Sequence, residues 1–276
     1  MDKTNLEQKT KSLNRRVIFL LIALSVAVPL VFKIGFPARV TVEVKKVYQE
    51  IENLDSASPV LVSFDHEASS LPEIKPMAQA VLRHCFSKNL KVLGLALLAE
   101  GTAIGDEILK DVAQEYGKEY GEDYVFLGFR PQYTAAILGM GEDIHRVFPQ
   151  DYKGSSTDEL SVIKDLKNFQ DIPLIISVAD GDMPTYWINF AGARYRKRIA
   201  IAVTAVMATS FYPFLDSGQI IGLVGGLKGA AEYENLIQKP GMGNKGMDAQ
   251  SMAHLMILVL VILGNINFLM SRQKKT

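Results

Sequence analysis

The chain has 276 residues with 30 basic and 30 acidic side chains, so no net field favours nucleic acid or a strongly charged partner. The one cysteine, Cys85, excludes an intrachain disulfide, and the fold must hold by packing. Removing the two apolar end regions leaves roughly 215 residues, ample for the core of one large domain.

The first element is an uncharged apolar run, Val17 to Phe32, preceded by a basic tail at 1–16 that ends in Arg15 and Arg16 and followed by Lys33. A membrane span needs about 20 apolar residues, and the run approaches this when its flank to Phe36 is counted, which predicts a transmembrane helix over 17–36. No small-x-small cleavage site follows the apolar core before Lys33, so retention is expected over removal as a signal peptide.

Residues 37–238 then alternate β-rich runs with amphipathic helical ones, the pattern of an α/β domain with a doubly wound, largely parallel sheet. Pro59 to Asp65 reads as a strand, followed by Ser70 and Glu73 at the spacing of a capping box and a helix to about Ser87. Lys91 to Leu98 is a second strand, Ile104 to Tyr120 an amphipathic helix, and Asp123 to Phe129 a third strand. Arg130 to Asp171 is irregular, rich in Gly and Pro, until Ser156 and Glu159 offer a second capping box before a helix ending near Phe169. Pro173 to Val178 is a fourth strand, a helix runs from about Pro184 into Arg194–Arg198, and Ile199 to Val206 is a fifth strand. The uncharged stretch Ile199 to Leu215 reads as a buried strand and turn, with an additional membrane segment as the alternative.

Gly218, Gly222, Gly225 and Gly229 follow at spacings that would line one face of a helix over Gln219 to Ile237. Such a strip lets another backbone approach closely, either the domain's own sheet or a neighbouring subunit, and it is the expected subunit-packing surface. Residues 239–248 read as a Gly/Pro linker into a second transmembrane helix over 249–271, and 272–276 form a basic tail. With basic residues outside both anchors, both termini are expected in the cytoplasm and the central domain on the far side of the cell membrane.

Open α/β sheets bind ligands beyond the carboxyl ends of their strands, so the residues after each strand are the site candidates. These are Asp65, His66 and Glu67, then Glu100, Arg130, and finally Asp180 with Asp182. Converging Asp65, Glu100, Asp180 and Asp182 would suit Mg²⁺ or Ca²⁺, and a carboxylate with a raised pKa would serve as a general base. Acids after strands also cap helices and make turns, which is the alternative at each position. Glu100 to Gly105 opens a helix but is not a dinucleotide fingerprint, and Asp106 and Glu107 would repel a phosphate there. No Walker lysine motif, GxSxG elbow or HExxH is present. His84–Cys85 reads as a surface histidine beside a buried cysteine, and Arg194–Arg198 as basic residues at a helix C-terminus or facing anionic lipid.

The expected function is a membrane-anchored, non-catalytic assembly or ligand-binding subunit of a membrane complex, without a cofactor. The alternative is an envelope hydrolase or transferase using the acidic Mg²⁺ or Ca²⁺ site. The expected partners are the lipid bilayer and either further copies of the chain or other membrane subunits, with no nucleic acid.

Overall fold

A computed structural model of the chain describes residues 14–273 other than 33, 37 and 38. The basic tail expected at 1–16 lies outside these residues up to position 13, as do Lys33 and the last three positions. Two units are distinguished, a central one over Ala38–Asn244 and a terminal one drawn from residues up to Pro37 and from Lys245 onward.

In the terminal unit, α1 covers Arg15–Val31, with the Asn14 side chain accepting from the Arg16 amide at its start. Its 17 residues rise about 26 Å, short of the roughly 30 Å hydrocarbon core of a bilayer, and Phe32 is already extended. The predicted span over 17–36 is thus a shorter helix than expected. The second apolar run is longer: Met242–Met270, 29 residues, is long and apolar enough to cross a membrane. No residue of its apolar window is buried.

The central unit holds, in chain order, α2 (Val42–Glu52), β1 (Pro59–Asp65), α3 (Leu71–Ser87), β2 (Lys91–Ala96), α4 (Gly101–Glu115), β3 (Tyr124–Phe129), α5 (Tyr133–Glu142) and α6 (Ile144–Val147). It continues with β4 (Leu174–Ala179), α7 (Met183–Tyr186), β5 (Arg198–Val203), α8 (Ala205–Asp216), β6 (Gly222–Gly225) and α9 (Gly226–Leu236), ahead of α10 (Met242–Gln273). The six strands form one sheet in the order β3-β2-β1-β4-β5-β6, and every neighbouring pair is parallel. This is the strand order of a doubly wound sheet, with the chain reversing direction across the sheet between β1 and β4.

Alternation along the strands sorts side chains into two cores. Val60, Val62 and Phe64 of β1 pack with α2, α3, α4 and α9 on one face. Leu61 of β1 and Ile175 of β4 pack with α5, the insert after it, Trp187 and Phe211 on the other. Both faces are therefore covered by helices, which explains why the strands read as nearly continuous apolar runs.

Several sequence expectations change here. Ser156 to Phe169 forms turns instead of a helix, with the buried Thr157 hydroxyl donating to the Phe148 carbonyl. The uncharged stretch 199–215 divides into β5 and the 12-residue α8, which is too short to be an extra span. Residues 187–193 adopt a π-helical winding continuous with α7, starting at the buried Trp187. Most of the expected linker is helical, because the buried Glu234 carboxylate accepts from the Gly241, Gly243 and Asn244 amides and from the Asn244 side chain at 2.8 Å each. That carboxylate supplies the start of α10 with the acceptors its own sequence lacks.

The glycine strip is the largest correction. Gly222 and Gly225 bound strand β6, paired in register with Ala200 and Val203 of β5, and Gly229 sits in α9. The four glycines share no helical face, so the helical strip expected as a subunit-packing surface is not formed. A Cβ on Gly222 would overlap the Glu43 carbonyl of α2, and one on Gly229 would come within 3.0 Å of the Val224 backbone. Gly225 faces Ala208 of α8, while Gly218 turns the chain with φ +75°. Close internal packing is what the missing side chains permit.

Candidate functional site at the strand reversal

Beyond the carboxyl ends of β1 and β4 the chain leaves the two strands toward opposite faces, and the loops at 66–70 and 180–182 meet. The Asp180 carboxylate joins them: its Oδ2 accepts from the Glu67 amide at 2.8 Å and from the Ser70 hydroxyl at 2.7 Å. The Ser70 hydroxyl also contacts the Glu67 carbonyl at 2.9 Å. Glu73, on the first turn of α3, reaches sideways and accepts from the Ala205 amide at the start of α8, 2.8 Å away. Ser70 and Glu73 therefore do not form the predicted capping box. Each is recruited to a neighbouring loop, and together with Asp180 they tie the ends of β1, β4 and β5 into one surface.

Below this surface lies a buried polar cluster. Asp65 ends β1 with no exposure, and its Oδ1 accepts from the Leu97 amide at 2.7 Å. Its Oδ2 accepts from the Ser63 hydroxyl at 2.5 Å and lies 3.5 Å from the Trp187 indole nitrogen. Burial pushes the Asp65 carboxyl up to about 6, opposed by these donors. The carboxylate pins the end of β2 to the end of β1 and anchors the π-helical stretch, so its role is to hold the crevice in shape.

His66 follows in the loop and is equally buried. Its Nδ1 lies 3.3 Å from the Glu67 carbonyl, an acceptor, which places the ring proton on Nδ1. Burial lowers the imidazole pKa, against the Glu67 carbonyl and the Asp180 charge, and keeps the ring neutral. Nε2 is thus a buried acceptor without a partner. The Thr102 hydroxyl, on the first turn of α4, is likewise buried and unpartnered. α4 begins against the end of β1, because Gly101 has no side chain: a Cβ there would overlap the Phe64 carbonyl and lie 3.3 Å from the His66 amide nitrogen. Unpaired buried polar atoms are costly, and the Ser177 hydroxyl within β4 is a third, so each of these atoms calls for a partner such as water or a ligand.

The remaining candidates separate. Glu67, Glu100 and Asp182 are exposed on the loops around the crevice. Arg130 is turned away into the insert, donating from Nε to the Val147 carbonyl at 2.6 Å with its guanidinium 4.7 Å from the Phe148 ring centre. Among the described residues no group of three or more His, Cys, Asp or Glu side chains is placed to hold a metal ion. The proposed Mg²⁺ or Ca²⁺ set of Asp65, Glu100, Asp180 and Asp182 is not assembled, since Asp65 points into the core and Asp180 is engaged by two donors. His84, expected at the surface, is buried: it stacks on Tyr48 at 4.5 Å, with Nδ1 2.9 Å from the Tyr233 hydroxyl.

Ser63, Ser70, Glu73, Thr102 and Trp187 escaped sequence reasoning as site residues. Only the first had a legible signal, a serine within an otherwise apolar strand two residues before Asp65. Comparison of the chain with family models, with curated proteins and with solved structures finds no match.

Proposed function

We propose that the chain is a membrane-anchored subunit that binds a small ligand at the reversal between β1 and β4 without transforming it. The observation that carries this reading is the pair of buried, unpartnered polar atoms, His66 Nε2 and Thr102 Oγ1, on the segments that follow β1 and β2, the first of which Asp180 ties to the loop after β4. A neutral Nε2 acceptor calls for a ligand with hydrogen-bond donors, and exposed Glu67, Glu100 and Asp182 around it favour a neutral or cationic one, such as a polyol or an amine. The loop at 66–70 contains no glycine and carries Glu67, which opposes a pyrophosphate there.

Anchoring rests on the uncovered apolar length of α10, with α1 completing the pair by tilting little and drawing on its flanks. The basic residues flanking both anchors favour both termini in the cytoplasm and the central unit outside it. Association with other copies or membrane subunits would proceed through the anchors, because the glycine strip is spent on internal packing.

Ligand binding is tested by thermal denaturation of the full chain in phosphatidylcholine nanodiscs, read by Trp187, the single buried tryptophan. A panel of monosaccharides and of polyamines should contain a ligand that raises the midpoint, and Thr102→Val or His66→Phe should remove that rise. Flat response of the unaltered protein to both classes would refute the reading. Topology is checked in intact cells with an impermeant thiol reagent: cysteine at exposed Ser155 should react, and cysteine at Ser12 or Gln273 should not. The native Cys85 gives no background, because it is buried with its thiol pushed up to about 12.

A further inference from the structure

The opposite edge of the sheet carries a feature that the ligand crevice does not use. A cavity of about 690 Å³ opens at the amino ends of β5 and β6, between the C-terminal half of α2 and the turn that leaves the π-helical stretch. Its walls carry four cationic side chains, Lys46, Arg196, Lys197 and Arg198, and one carboxylate, Glu50. Glu50 is already paired with Arg198. Lys46, Arg196 and Lys197 have no ion pair among the described residues.

Lys197 is the telling member. It is half-buried, and burial lowers its pKa, with the Asp171 charge opposing. An ammonium withdrawn from water without a paired anion is a cost that a bound anion would relieve. Arg196, beside it, holds a left-handed backbone conformation at φ 56°, unusual for a residue other than glycine, and this turn sets 196 to 198 along the cavity wall. The apolar lining is formed by the buried Ile188, Ile199 and Ile220 with the half-buried Ile221, and a Cβ on Gly192 would come within 3.1 Å of the Ile199 Cδ1.

We infer that this cavity is an anion site for a phosphate-bearing ligand. Three unpaired cations exceed what one carboxylate neutralises, and a guanidinium with two ammonium groups matches the several acceptor oxygens of a phosphate. The side-chain amides of Gln49, Asn53 and Gln219 supply further donors on the same wall. A cavity of this size accommodates the phosphate with a small organic part beside the half-buried Ile221. Phosphate chemistry is common to a soluble organophosphate and to an anionic phospholipid headgroup, and the experiment separates these sources.

The full chain is placed in nanodiscs of phosphatidylcholine alone, of phosphatidylcholine with added inorganic pyrophosphate, and of phosphatidylcholine with phosphatidylglycerol. Acetylation of Lys197 is followed by mass spectrometry, with exposed Lys164 of the insert as internal reference. Pyrophosphate protecting Lys197 but not Lys164 establishes a soluble phosphate site, and protection by phosphatidylglycerol alone establishes a headgroup site. Lys46→Gln, on another element, and Arg196→Asn, which retains a residue tolerant of the left-handed turn, should each raise the half-protecting pyrophosphate concentration about tenfold. Equal acetylation of Lys197 in all three settings overturns the proposal. So does equal protection of Lys164, or protection that both variants leave unchanged.

Discussion

Replacing Gly222 by alanine tests whether the glycines serve internal packing. The new Cβ would overlap the Glu43 carbonyl and approach the Val47 amide nitrogen at 3.0 Å and its Cγ2 at 2.8 Å. Two of the three obstacles are α2 backbone, which no rotamer change can clear, so α2 must move away from β6. Overpacking of this kind costs about 1 to 3 kcal/mol. Alanine also stiffens the unfolded chain, returning roughly 0.4 to 1 kcal/mol, for a net loss of roughly 0.6 to 2 kcal/mol. Gly225 provides the comparison within the same strand: its nearest obstacles are side-chain atoms of Ala208 and Leu223 at 3.2 Å, which can yield by a few tenths of an ångström. Gly225→Ala should therefore cost less. Urea unfolding in detergent, followed by Trp187 fluorescence, reads the stability, and light scattering reads the particle size. If Gly222→Ala costs under about 0.5 kcal/mol yet yields a smaller particle, the strip meets another subunit and the internal-packing argument fails.

Two further outcomes follow from buried carboxylates. The Asp65 pKa is raised from 3.8 to about 6, so the unfolded chain releases this proton first and stability falls as pH rises between those values. The loss approaches roughly 3 kcal/mol, and Asp65→Asn should abolish that part of the slope; an unchanged difference between the two proteins from pH 4 to 7 would sink the assignment. Glu52, lowered from 4.5 to about 2 by its hydrogen bonds with Tyr48 and Lys88, overlaps only the lower end of this window with the opposite sign, and it is common to both proteins, as are the lowered His66 and His84. Glu234→Ala strips four hydrogen bonds from the start of α10, costing about 3 kcal/mol; hydrogen exchange at the Gly243 and Asn244 amides should accelerate strongly, and unchanged protection would show that the carboxylate is dispensable.

What the sequence determined by itself was everything set by period and local composition. The β1 bounds, Pro59–Asp65, agree with the expectation to the residue, and β2, β3 and β4 lie within two residues of it, because an apolar run closed by polar residues is visible in one dimension. The candidate loops were legible for the same reason: a parallel sheet puts every strand's carboxyl end on one side, which brings Asp65 to Glu67 and Asp180 to Asp182 near each other.

Only the tertiary structure decided which side chain does what there. Ser70 and Glu73 have the spacing of a capping box, yet Asp180 and the Ala205 amide, far away in sequence, compete for them and win. The glycines at 218, 222, 225 and 229 fit a helical face by spacing, but pairing with β5 is a non-local contact, and it turned Gly222 to Gly225 into a strand. The start of α10 likewise depends on Glu234, a residue of the preceding helix, and no propensity carried by Lys239 to Asp248 announces it. Local sequence sets what a segment can form; partners supplied by the rest of the fold select among those forms, because the hydrogen bonds and close contacts that decide the energy are made between segments.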